Sequence, residues 1–208
     1  MSLIHELEEM LQVFEHIPYI RPSMLPKLDL YMDQVTTFME ERLQGWRRNP
    51  DDKILTKTMI NNYTKNKLLP PPVKKKYSRD HLLLLNYIYY LKNILSIGDI
   101  ATLTRPLTER YWGRREAPDM ASIYRDILLM EHVAAQDCYQ DIRHKIQAAS
   151  EAFNDKEMSA EERNYLQKFV FVCLMSFDIA LKKRMIETLI DDMKPPVKRK
   201  EKSPEPSH

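Results

Sequence analysis

Two neighbouring asparagines, Asn61 and Asn62, sit among lysines in the stretch TKTMINNYTKNKLLPPPVKKKYS. A carboxamide presents a donor and an acceptor in one plane, which matches the N6 and N7 edge of adenine in the major groove. Lysines carry point charges suited to phosphate oxygens, which position a protein on a duplex without reading its sequence. The chemistry on offer is therefore recognition of double-stranded DNA. At helical spacing Lys57, Thr58, Asn61, Asn62 and Lys65 share one face, while Met59, Ile60 and Tyr63 share the other. Tyr63 is expected to pack inward. Lys67, the run Lys74, Lys75 and Lys76, and Tyr77 complete the candidate DNA-binding set.

These side chains need a helix, a stop and a platform. Thr56 supplies an N-cap, since its hydroxyl can accept from an amide two or three residues on. Pro70, Pro71 and Pro72 end that helix by Leu69, because a residue before proline is pushed out of the α region. Ser78 caps the next helix, and Asp80 in its first turn suits the positive end of the helix dipole. That helix, Arg79 to about Leu95, is apolar nearly all round, which predicts burial on several sides. Its tyrosines Tyr87, Tyr89 and Tyr90 point in different directions and read as core rather than as a base-stacking platform. Upstream, Leu28 to Leu43 carries an apolar face that includes Leu28, Tyr31, Val35 and Met39, as a supporting helix would. A short polar-faced helix, a stiff basic excursion and a buried helix form the layout of a winged helix-turn-helix.

On these residues a resemblance can be stated. MINNYTKNKLLPPP, KKKYS and LSIGDI resemble the reading head of MerR-type regulators, with an aromatic recognition helix, a basic wing closing on Tyr-Ser and a following helix. More closely, LYMDQV, MINNYTKNKL and KKYS are similar to an uncharacterised bacterial family, the domain of unknown function numbered eighteen thirty-six. The first likeness spans about a third of the chain and the second most of it. MerR-type heads carry Arg-Tyr-Tyr and a helix-ending glycine where this chain has Asn61-Asn62-Tyr63 and Lys67. Asn66 is expected to take the left-handed cap conformation in that glycine's place. Base contacts are therefore not carried over from MerR proteins, and the closer family implies no activity.

Charge supports the same stretch. The whole chain has a formal net charge of +2, yet Lys53 to Lys92 holds nine lysines or arginines against one acid, Asp80. An acidic body with one basic segment is the electrostatic footprint of a phosphate-binding surface. Three glycines and twelve methionines argue against a sheet-rich fold. The two cysteines, Cys138 and Cys173, lie within apolar helical patterns, which suggests a reducing cytoplasm rather than a disulfide framework. The longest apolar run, FVFVCLM, is too short to span a bilayer, and the acidic MSLIHELEEM lacks the basic start of a signal peptide.

Around the head, Leu3, Leu7, Met10, Leu11 and Phe14 predict an N-terminal helix, followed by a connector containing Pro18, Pro22 and Pro26. Ser96 and Asp99 cap a short helix expected over Ile97–Leu103, and 105–119 reads as a linker or exposed turn. Arg114 and Arg115 there are solvated charges first and secondary phosphate contacts second. Two long helices follow, about Met120–Phe153 and Ala160–Met193, with a capping box at Ser159 and Glu162. Their apolar stripes run through Ile123, Ile127, Met130, Ala134 and Cys138, and through Phe169, Cys173, Phe177, Leu181 and Met185. Neither stripe can be buried by one helix alone. The tail 194–208 is charged and broken by prolines, and reads as disordered.

Asp141 and His144 stand one helical turn apart, but a di-metal bundle needs that motif twice with added glutamates, so they read as surface residues. His5 and His16 have no ligand partners at metal spacing. With no Gly-rich phosphate loop, nucleophile elbow or CxxC pair, nothing supports an enzyme, a cofactor or a metal.

The expected fold is thus all-α apart from a small two-stranded wing. It comprises an N-terminal helix and connector (1–26), a MerR-like winged helix-turn-helix (27–104), a linker (105–119), a helical bundle (120–193) and the tail. The expected function is sequence-specific binding of double-stranded DNA by a cytoplasmic transcriptional regulator, with a homodimer formed through residues 120–190 and no membrane association. The rival reading is a helical interaction module that keeps the winged fold and binds an acidic protein.

Overall fold

The helix with no polar face occupies the centre of the computed structural model, which describes residues 3–15 and 19–194. His16, Pro18 and the tail from 195 onward lie outside the described residues. Among those described, the chain forms α1 (Leu3–Glu15), β1 (Leu30–Tyr31), α2 (Met32–Leu43), α3 (Lys57–Lys65), β2 (Lys76–Tyr77), α4 (Arg79–Leu91), α5 (Ile97–Tyr111), α6 (Met120–Glu151) and α7 (Ala160–Met193). The fold is mostly α with one small antiparallel sheet, as the sequence predicts.

Leu82, Leu83, Leu84, Leu85 and Ile88 of α4 are all at most 1% exposed. One core joins them to Val35, Met39 and Leu43 of α2, Ile60 and Tyr63 of α3, Ile100 of α5, Tyr124 of α6 and Ile190 of α7. α2 and α3 on one side and the C-terminal helices on the other thus share one core with α4. Each fully buried leucine contributes roughly 1.5–3 kcal/mol relative to leaving it in water. A polar thread runs through the same contact. The Asn86 side-chain amide donates to the Tyr124 hydroxyl at 2.7 Å, and that hydroxyl donates to the Ile20 carbonyl at 2.6 Å.

Three expectations are corrected. The supporting helix begins at Met32, not Leu28, because residues 30–31 pair as a strand with Tyr77 and Lys76. Gln34 Oε1 accepts the Tyr31 amide at 2.9 Å and fixes that start, leaving Leu28 81% exposed. Second, α5 runs on to Tyr111 through Pro106 instead of ending near Leu103. Tyr111 and Trp112 pack against the core, and the Gly113 amide donates to Asp80 at 2.8 Å, so this end of the expected linker is fastened to α4. Third, α4 ends at Leu91 rather than near Leu95. The long helices leave much of their apolar stripes open in the single chain. Met130, Phe177 and Met185 are 70–77% exposed, while the buried positions include Ile146, Ala149, Gln167 and Ile190. Gln167 explains its own burial: Nε2 donates to the Ser150 and Ala152 carbonyls and so closes the C-terminal end of α6.

α1 lies against α6 and α7, burying Leu3 and Leu11, with Glu6 paired to Lys168 at 2.8 Å and Glu15 to Arg143. Asp141 pairs with Lys145, which also faces Asp178 at 3.9 Å. No helix of the described residues is long and apolar enough to cross a membrane.

Candidate nucleic-acid interface

α3 is set by its two ends. At the start, Thr56 Oγ1 accepts the Met59 amide at 3.1 Å. At the finish, the Leu68 amide donates to the Tyr63 carbonyl at 2.9 Å and the Lys67 amide to the Thr64 carbonyl at 3.1 Å. This pair of bonds is a Schellman motif. The motif requires a left-handed residue, and Lys67 takes it with φ 59°, whereas Asn66 stays at φ −88°. The expectation for Asn66 is therefore corrected by one position. Asn66 instead sends its side-chain amide back to the Asn62 carbonyl at 2.8 Å. The chain can hold a lysine there because Leu68 and Leu69, each 1% exposed, bury the turn in the core.

Between these ends the two faces separate as the spacing predicts. Ile60 and Tyr63 are buried, and burial holds the Tyr63 hydroxyl above its ordinary pKa. Lys57, Thr58, Asn61, Asn62 and Lys65 are all exposed, as is Lys67. Lys57 is engaged with Asp33 of α2 in an exposed ion pair. Such pairs are worth about 0–1 kcal/mol, so a stronger anion can displace Asp33.

The basic excursion folds into a tight hairpin. The Val73 amide donates to the Lys76 carbonyl at 3.1 Å and the Lys76 amide to the Val73 carbonyl at 2.9 Å. The two central residues, Lys74 and Lys75, both have positive φ, 50° and 64°. That combination defines a type I′ turn, which matches the twist of antiparallel strands and favours Asn-Gly. Left-handed backbone costs a residue with a Cβ roughly 1–2 kcal/mol relative to its right-handed form. β2 then pairs with β1, not with a second strand of its own hairpin, so the segment before α2 forms half of the sheet. Lys74, Lys75 and Lys76 are exposed, and the Lys76 ammonium lies 5.2 Å from the Tyr31 ring centre.

Tyr77 leaves the candidate surface. It is 3% exposed, and its ring meets that of His81 edge-on at 5.2 Å. The alternation along β2 turns Tyr77 inward once Lys76 faces out. Lys92, counted in the basic segment, is also structural: its ammonium donates to the Ile54 carbonyl at 3.0 Å.

His81 is the residue that the sequence reading missed. Its Nδ1 accepts the Ser78 amide at 2.9 Å, and its Nε2 lies 3.2 Å from the Pro70 carbonyl. The first bond requires an unprotonated Nδ1, so Nε2 carries the hydrogen and donates to Pro70. The ring also lies edge-on to Trp112 at 4.7 Å. Burial lowers its pKa, outweighing the opposing pull of the proline carbonyls and of Asp29. The available signal was the spacing Ser78-x-x-His81, a capping box with imidazole as the returning acceptor.

A family model described as a domain of unknown function (DUF1836) matches residues 20–127, from the connector before β1 into the first part of α6. The chain belongs to that family. Comparisons with curated proteins and with solved structures gave no match.

Proposed function

We propose that this member of the DUF1836 family binds double-stranded DNA through a MerR-like winged helix-turn-helix and acts in the cytoplasm as a transcriptional regulator. α3 is the recognition helix in this reading, with Asn61 or Asn62 on adenine. Lys65, Lys67 and the hairpin lysines hold phosphates, joined by Lys57 once it leaves Asp33.

The observation that carries the reading is the pair Lys74 and Lys75 at the tip of the hairpin. A type I′ turn is filled most cheaply by Asn-Gly, and two lysines there oppose the backbone preference at both positions. Backbone strain of this kind collects where the side chain has a use. Exposed positive charge at a turn tip is what a phosphate backbone would use. Acids on the exposed surface of α2, Asp33 and Glu41, argue that the contacts come from α3 and the hairpin rather than from α2.

The C-terminal helices complete the proposal. Phe177, Leu181, Met185 and Leu189 of α7 are 61–77% exposed, more apolar surface than one helix carries without a partner. A second copy of the chain covers them in this reading, which pairs two heads on two half-sites and supplies the specificity that a single module lacks.

Selection from a pool of random duplexes tests the proposal. A shared enriched motif is expected. No enrichment, together with no retention on random duplex at low salt, would transfer the basic segment to the rival reading, an interaction with an acidic protein.

A further inference from the structure

Beside the head, the connector after α1, the first turn of α4 and the first third of α6 enclose a cleft of about 590 Å³. Its walls are apolar: Tyr19 and Pro22 on one side, Leu128 and Leu129 on the other. Its charged lining is all of one sign, with Arg21, Arg79 and Arg125 present and no carboxylate among the lining residues. Arg79 is held in place because Nη2 donates to the Pro22 carbonyl at 3.1 Å. Acids stand around the cleft rather than in its lining: Asp80 and Asp119 act on Arg79, Glu131 on Tyr19, and Asp126 lies 3.5 Å from Arg125 Nε in a pair whose two side chains are each 61% exposed. An ion pair that open to water releases its arginine cheaply.

Two requirements follow for an occupant. Guanidinium groups stay protonated at any pH of interest and bind carboxylates through paired parallel hydrogen bonds. Hydrocarbon walls gain nothing from a bare ion or a phosphodiester, but do gain from covering an apolar body. The volume falls within the ~300–1,000 Å³ of small-molecule sites, which are mostly apolar with a few placed polar groups. We infer that this cleft binds an amphipathic carboxylate, with its head on Arg21 and Arg125 and its hydrocarbon body between Tyr19, Leu128 and Leu129. The site touches the head and α6 together, and it does not depend on the DNA-binding reading.

Octanoate and octylammonium, titrated calorimetrically into the full chain without DNA, separate the possibilities. Octanoate is expected to bind saturably with one site per chain and to raise the melting temperature, while octylammonium does neither. The double variant Arg21→Gln with Arg125→Gln is expected to weaken octanoate binding at least tenfold while melting like the parent protein. A second variant, Leu28→Gln, removes open apolar surface elsewhere, at a side chain 81% exposed, and is expected to bind octanoate as the parent does. Equal binding of the two octyl probes, or full octanoate affinity in the arginine variant, overturns the inference, because the probe is then held by apolar surface alone. Displacement of octanoate by random duplex also overturns it and gives the arginines to the nucleic-acid surface. Loss of DNA binding in any of these proteins leaves the octanoate measurement untouched, so the two readings fail separately.

Discussion

The imidazole of His81 spans from the first turn of α4 to the Pro70 carbonyl, 3.2 Å from its Nε2. Nε2–H fastens the turn after α3 to the helix that follows the hairpin, while Nδ1 accepts the Ser78 amide, a bond that only the neutral ring can make.

A pH dependence of stability follows. His81 is buried, and its folded pKa lies below the ordinary value of about 6.5, so the unfolded chain binds its proton first. Stability is therefore complete above about pH 6.5 and declines as pH falls from there towards the folded pKa. His81→Phe keeps the ring contacts with Tyr77 and Trp112 but loses both hydrogen bonds, which costs about 1–3 kcal/mol if the Ser78 amide is left unpaired. Urea midpoints across this range are expected to show the decline in the parent protein and a shallower one in the variant.

The hairpin tip separates stability from binding. Lys74→Asn with Lys75→Gly supplies the preferred type I′ pair and relieves two left-handed lysines, so stability is expected to rise by about 1 kcal/mol. Affinity for any duplex is expected to fall in the same protein. Thermal melts and filter binding together check this, and a change of both in one direction would speak against a functional origin of the strain.

Asn61→Ala and Asn62→Ala are expected to leave non-specific binding intact, since a carboxamide neutralises no phosphate. One of the two should lose discrimination worth ~1–3 kcal/mol at a single base position, the usual size of a bidentate contact. Competition between the selected site and its single-base variants measures it.

Oligomeric state depends on the open face of α7. Phe177→Glu with Met185→Glu places charge among side chains that are 71% and 77% exposed, so the fold itself should tolerate it. The parent protein is expected to sediment as a dimer at micromolar concentration and the double variant as a monomer. A monomeric parent, with and without DNA, removes the dimer from the account.

The sequence made the periodic features legible. The two faces of α3, the all-round burial of α4 and the extents of α6 and α7 follow from spacing and caps, and the structure keeps them. What it hid were features decided by tertiary contact. Tyr77 belongs to a basic, exposed-looking run, yet its inward turn depends on pairing with β1, a strand that its own sequence disguised as the start of α2. Lys67 rather than Asn66 takes the left-handed cap because Leu68 and Leu69 pull the turn into the core, against local propensity. α5 outruns its expected end because Trp112 and Gly113 find partners on α4, which outweighs the hydrogen bond that Pro106 cannot make. The arginine cleft gathers residues far apart in the chain, and no spacing rule could have joined them.

The most direct test of DNA binding by α3 and the hairpin is the salt dependence of duplex affinity for a variant with Lys74, Lys75 and Lys76 all changed to alanine. Each phosphate contact releases condensed counterions, so losing one flattens the plot of log affinity against log salt by ~0.9. A uniformly weaker binder on all duplexes is expected, with a slope reduced by that amount for each hairpin contact. A variant that keeps the slope and affinity of the parent protein would contradict this reading, because the hairpin would then not touch DNA.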